Sequence, residues 1–212
     1  MLAEGRMNIE MRRPKVSEAE EIIREALAIV PATLARRLGA VQFNLHASEE
    51  EVSSRWRWGK TGVEVEVNPS ETSPHDCALE LLTCLGQALW NSASAGERRA
   101  WLKLLREEIE AEVEGEIDER ALREKRAMLS SRVLAASPRR MERYAEASFA
   151  GTMAEYVHAL WHEVAVQAGR DYLPLPWLRR RFVLFSRWFP AARNAMPGLF
   201  RHRCGSRIRR NT

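Results

Sequence analysis

At 212 residues, with 45% hydrophobic and 29% charged side chains, the chain has the balance of an ordinary soluble protein able to bury a sizeable core. No apolar run approaches the roughly 20 residues of a spanning helix, and the polar stretch 1–15 lacks the apolar segment of a secretion signal. The net charge of +4 conceals an asymmetry: ten arginines and no carboxylate follow Asp171, so the chain up to that point is acidic on balance. Cys77, Cys84 and Cys204 form no CxxC pair, which argues against a disulfide framework or a thiolate zinc knuckle and fits a reducing cytoplasm.

In chain order, Ser17 and Glu20 have capping-box spacing, and Ile22, Ile23, Ala26 and Ile29 recur at helical period until Pro31. Two helices are predicted, over about 17–29 and 31–38. Val41, Phe43 and Leu45 alternate with polar residues, as do Val63, Val65 and Val67, so both segments read as half-buried strands. Ser73-Pro74 then opens a helix over about 75–91 whose buried stripe is Ala78, Leu81, Leu82, Leu85 and Leu89. A helix from Glu97 carries Trp101, Leu104, Leu105 and Ile109, and another spans about 119–136, ended by Ser137-Pro138. Between Glu107 and Glu119 lie eight acids and no base, which reads as a solvated helix face or loop. Residues 141–169 form the longest amphipathic pattern and should cross the core. The expected organisation is an N-terminal extension over 1–16, one domain over 17–190, and a flexible Arg-rich tail over 191–212.

Three pieces of this chain share a resemblance. LLTCLGQALW at 81–90 lies where a metal-site helix would carry HELGH followed by a small apolar and a bulky residue; GVEVEVNPS at 62–70 looks like a cleft-edging strand; SFAGTMAEYVHALW at 148–161 looks like a helix bearing a further acidic ligand. The order of these pieces resembles the gluzincin branch of the zincin metallopeptidases. The resemblance implies an α+β, zincin-like fold, mainly helical, with a small sheet packed on the former metal-site helix. It also puts Thr83 at the first His, Cys84 at the general-base Glu, Gln87 at the second His and Gly151 at the ligand Glu. All four differ from what zinc hydrolysis needs, since HExxH holds the metal with two imidazoles and uses the Glu as base. Gly86 is retained, and its size would let a neighbouring element approach. The implied protein is a catalytically inactive peptidase relative with a binding or regulatory role, no cofactor, and a peptide or protein partner in the vestigial cleft.

Other constellations leave alternatives open. Glu80 and Cys84 on one helix, with Glu155, His158 and His162 on another, could form a relocated metal site holding zinc, or could be small core residues and half-solvated polar ones. A Cys84 nucleophile activated by His158 is a second enzymatic alternative, against an inert structural cysteine. Trp56 and Trp58, with Val63 and Val65, could rim a groove taking extended peptide by β-addition, or form a hairpin packed on the domain. Arg179, Arg180 and Arg181, followed by Arg201, Arg203, Arg207, Arg209 and Arg210, are interleaved with aromatics. That pattern suits nucleic acid or an anionic membrane surface; equally, the aromatics suit a final core-covering helix whose wet face carries the arginines.

Overall fold

The computed structural model describes residues 18–45, 54–67, 73–130, 138–162 and 169–191. Within them the chain forms α1 (Glu18–Ile29), α2 (Ala32–Leu38), β1 (Ala40–Leu45), β2 (Arg55–Trp58), β3 (Gly62–Val67), α3 (Pro74–Asn91), α4 (Ala95–Glu110), α5 (Glu119–Leu129), α6 (Pro138–Trp161) and α7 (Leu175–Trp188). This is an α+β arrangement, mainly helical with a small sheet. No described helix is long and apolar enough to cross a membrane.

The helix starts follow local chemistry. Ser73 accepts from the Asp76 N–H while Asp76 accepts from the Ser73 N–H, and Pro74 fills the first turn, where its missing donor costs nothing. Ser94 and Glu97 repeat this reciprocal box at α4, two residues before the expected start. Pro138, expected to stop the preceding helix, is the first residue of α6, the same first-turn tolerance at work. Ser17 and residues 131–137, 163–168 and 192–212 lie outside the described residues, so the first capping box, the end of the helix predicted to 136, the end of the pattern predicted to 169 and most of the tail do too.

The sheet order is β1-β3-β2, with β1 parallel and β2 antiparallel to β3. Val63, Val65 and Val67 lie at 0–1% exposure on the face toward α3. The stretch 62–67, expected to edge a cleft, is therefore the central strand. The edges are β1 and β2, and Arg55 and Arg57 of β2 pair with Glu66 and Glu64 across the outer face, at 2.5 and 2.6 Å.

α6 packs most extensively on α3, and α1 and α5 flank that pair. The predicted α3 stripe of Ala78, Leu81, Leu82, Leu85 and Leu89 is fully buried, each leucine contributing about 2 kcal/mol by removal from water. Gly86 sets the closeness of the crossing. A Cβ there would stand 2.7 Å from Ala150 Cα and 2.9 Å from its carbonyl oxygen, so only glycine lets the two backbones approach this far. Phe149 of α6 centres an aromatic cluster with Trp90, Trp101 and Phe185, ring centroids 4.8–5.4 Å away, which binds α7 to the core.

Candidate functional site

The half-exposed face of α3 carries Glu80, Thr83, Gln87 and exposed Asn91, and β2 lies along it. Ser54 donates to Glu80, the Trp56 indole donates to Gln87 Oε1 at 2.8 Å, and the Trp58 indole reaches Asn91 Oδ1 at 3.4 Å. Alternate residues of the strand thus meet successive turns of the helix, because a period of two places 54, 56 and 58 on one face. Of the expected groove residues, Trp56 is half-buried under this seam and Trp58 is 42% exposed. Val63 and Val65 form no groove wall; they are core, because their face of β3 is covered by α3.

The backbone of β2 offers something its side chains do not. Gly59 N–H donates to Gly62 O at 2.7 Å, closing a two-residue turn, so the hydrogen-bonded pairs of the hairpin are Arg57 with Glu64 and Arg55 with Glu66. The main-chain N–H and C=O groups of Trp56 and Trp58 consequently point away from β3, to the edge of the sheet.

Each position matched to a zincin ligand is engaged in packing or internal hydrogen bonding. The Thr83 hydroxyl donates back to Leu79 O at 2.9 Å, and Gln87 accepts from Trp56. Cys84 is 3% exposed, and burial, reinforced by the Glu80 carboxylate and opposed by Arg120, pushes its thiol up to about 12. That thiol stays protonated at neutral pH, the reverse of what a nucleophile or thiolate ligand needs. At Gly151 the direction a side chain would take is filled by Asp118, the N-cap of α5, whose Oδ2 would stand 1.7 Å from an added Cβ. The other Asp118 oxygen accepts from Ala121 N–H at 2.8 Å, and burial raises this carboxyl, with Glu116 adding to the rise. A hydroxyl, a neutral amide, a buried thiol and a glycine do not fit zinc, which takes imidazole, thiolate or carboxylate. Comparison with protein-family models, curated proteins and solved structures returns no match.

The relocated metal set is divided. Glu80 accepts from Ser54 beside Cys84 on α3, while His158 lies 3.4 Å from Glu155 and its ring centroid 5.7 Å from that of His162, near the end of α6. His75, at the start of α3, stacks on Trp161, and its ring centroid lies 5.5 Å from that of His162; no spacing in the sequence links it to α6. Among the described residues no three His, Cys, Asp or Glu side chains are placed to hold a metal ion. Burial lowers the His162 pKa, and the charges of His158 and His75 add to that lowering.

The C-terminal arginines divide sharply. Arg181, expected on a wet face, is fully buried. Its guanidinium makes two hydrogen bonds to Glu108, at 2.9 and 2.5 Å, and two to Glu116, each at 2.8 Å. Lys125, also at 0% exposure, donates to Gly115 O and to Glu116 at 2.9 and 3.3 Å, and Tyr144 donates its hydroxyl to Glu116. Burial alone would raise the Glu116 carboxyl, but the charge and hydrogen bonds of Arg181, joined by Lys125 and Tyr144, take it down to about 2. Two acids of the supposedly solvated block are therefore core residues. Arg179 and Arg180 remain exposed, Arg180 paired with Glu107 and lying 4.4 Å over the Trp177 ring. Arg201, Arg203, Arg207, Arg209 and Arg210 lie outside the described residues.

Proposed function

We propose that this chain is a noncatalytic, metal-free relative of the zincins that binds an extended peptide or protein segment along the edge of β2. The observation that carries the reading is the seam between β2 and α3: a short edge strand held on a helix face with the main-chain groups of Trp56 and Trp58 directed outward. Strand addition uses such groups for affinity and side-chain pockets for selection, and needs no metal. Arg55 and Arg57, already paired on the outer face, and Trp58, exposed at the end of the strand, would supply the selecting contacts. The chemistry at Thr83, Cys84, Gln87 and Gly151 supports the noncatalytic half of the proposal, since none of the four supplies a general base or a zinc ligand.

The test is selection from a displayed random-peptide library on the full chain, followed by amide exchange with an enriched peptide bound. Protection should appear at Trp56 and Trp58, and Trp58→Pro, which removes an outward N–H, should abolish binding that Trp58→Ala retains in part. Failure to enrich any peptide, protection elsewhere in the chain, or equal binding by the two variants would overturn the proposal.

A further inference from the structure

Away from the α3 seam, one face of α4 and one face of α7 enclose an open groove of about 460 Å³. Its floor is apolar: Ala100 and Leu104 from α4, Val183 and Leu184 from α7. Val183 is 37% exposed, while the aromatic residues of α7 turn the other way into the core. The rim is cationic, with Lys103 on the α4 side and Arg179, Arg180 and Arg187 on the α7 side, against the single carboxylate of Glu107. Glu107 is already committed to Arg180, with Lys103 a looser partner at 4.0 Å. No ion pair among the described residues holds Arg179 or Arg187, both of which are exposed.

We infer that this groove docks an acidic amphipathic helix of a partner protein, apolar side chains on the floor and carboxylates on Lys103, Arg179 and Arg187. Two parallel facts about shape and charge select this occupant. The walls are helix faces, at 100, 103, 104 and 107 and at 179, 180, 183, 184 and 187, so the trough between them suits a third helix presenting residues three and four apart. The excess of cations demands carboxylates on the incoming flanks. The chain's own C-terminal residues 192–212 are excluded by charge, since they hold six arginines and no acid. A nucleic acid would leave the apolar floor unused and would find the Trp177 face covered by Arg180.

The probe is a fluorescent helical peptide of about 18 residues, long enough for several turns, with leucines at helical spacing flanked by glutamates. Its control has every glutamate replaced by lysine. The full chain should bind the glutamate peptide and not the lysine one, with affinity falling as salt rises. The double variant Arg179→Glu/Arg187→Glu should bind about tenfold more weakly, as like charge replaces attraction at the rim. Val183→Asp, a change at an exposed floor position, should weaken binding while leaving the far-UV dichroism and melting temperature near those of the parent. Equal binding of the two peptides, or indifference to both variants, would overturn the inference. So would arginine-dependent binding of phosphatidylserine vesicles or a single-stranded oligonucleotide without peptide binding, or self-association of the chain that the double variant abolishes. None of these readouts involves β2, so loss of strand addition there leaves this inference standing, and the reverse holds.

Discussion

The half-exposed face of α3 and the interior beneath α7 show opposite treatments of polarity. On α3, positions 83, 84, 86 and 87 hold a hydroxyl, a thiol, no side chain and an amide, all uncharged, and each is satisfied locally or packed. Beneath α7, Arg181, Lys125, Glu108 and Glu116 form a group of four charges sealed from solvent. The first region carries no charge at those four positions. The second has the buried, perturbed groups that ordinarily mark a reaction site, yet every charge in it is paired and none reaches solvent. Charge in this chain holds helices together, and the half-exposed helix face is left to hydrogen bonding with β2.

Substitution separates the two regions. Arg181→Ala strands the buried Glu108 carboxylate, leaves Glu116 with Lys125 and Tyr144 alone, and should cost about 3–5 kcal/mol in chemical denaturation, enough to threaten folding at moderate temperature. Arg181→Met combined with Lys125→Met, Glu108→Gln and Glu116→Gln should lose less than the single change, since no uncompensated charge remains. By contrast, Thr83→Ala on α3 should cost no more than about 1 kcal/mol.

Acid sharpens the same contrast. The Glu116 carboxyl sits below its unfolded value, so the unfolded chain takes up a proton first and the group's contribution is present above about pH 4.5, then lost as pH falls toward about 2. The loss should approach about 3 kcal/mol across that window and be largely absent in Glu116→Gln, measured by denaturation at a series of pH values.

A smaller effect is expected at the junction of α5 and α6. Gly151→Ala places a methyl group on Asp118 Oδ2 and should destabilise by about 1–3 kcal/mol, with partial recovery when Asp118→Gly is added. A side chain at 151 that left stability unchanged would show that Asp118 does not fill that space. Smallest of all, Trp56→Phe removes the indole donor to Gln87 and should cost about 1 kcal/mol, while Cys84 should react with iodoacetamide no faster after the change, because burial sets its protonation.

Much of the frame was legible because it rests on short-range rules. Capping at Ser73 with Pro74 in the first turn, the α3 stripe, and the alternation of Val63, Val65 and Val67 are all read from neighbours within a turn or two. β2 was harder, since Arg55 to Trp58 offers only four alternating residues and its partner face is supplied by α3. The ion network was misread for a physical reason. Arg181 meets Glu108 across 73 positions and Glu116 across 65, and periodicity carries no information about which charges pair at such range. An acidic block and an arginine run each look solvated when read alone. Asp118 is equally illegible, because its contact with Gly151 depends on how α5 packs on α6.

The central claim is that α3 serves as a scaffold helix that holds no metal. It is tested most directly by native mass spectrometry of the full chain after incubation with excess zinc and desalting, with a thermal melt in parallel. The account predicts the mass of the metal-free chain and an unchanged melting temperature. One zinc ion retained per chain, lost together in Cys84→Ser and Gln87→Ala variants and accompanied by a raised melting temperature, would contradict it.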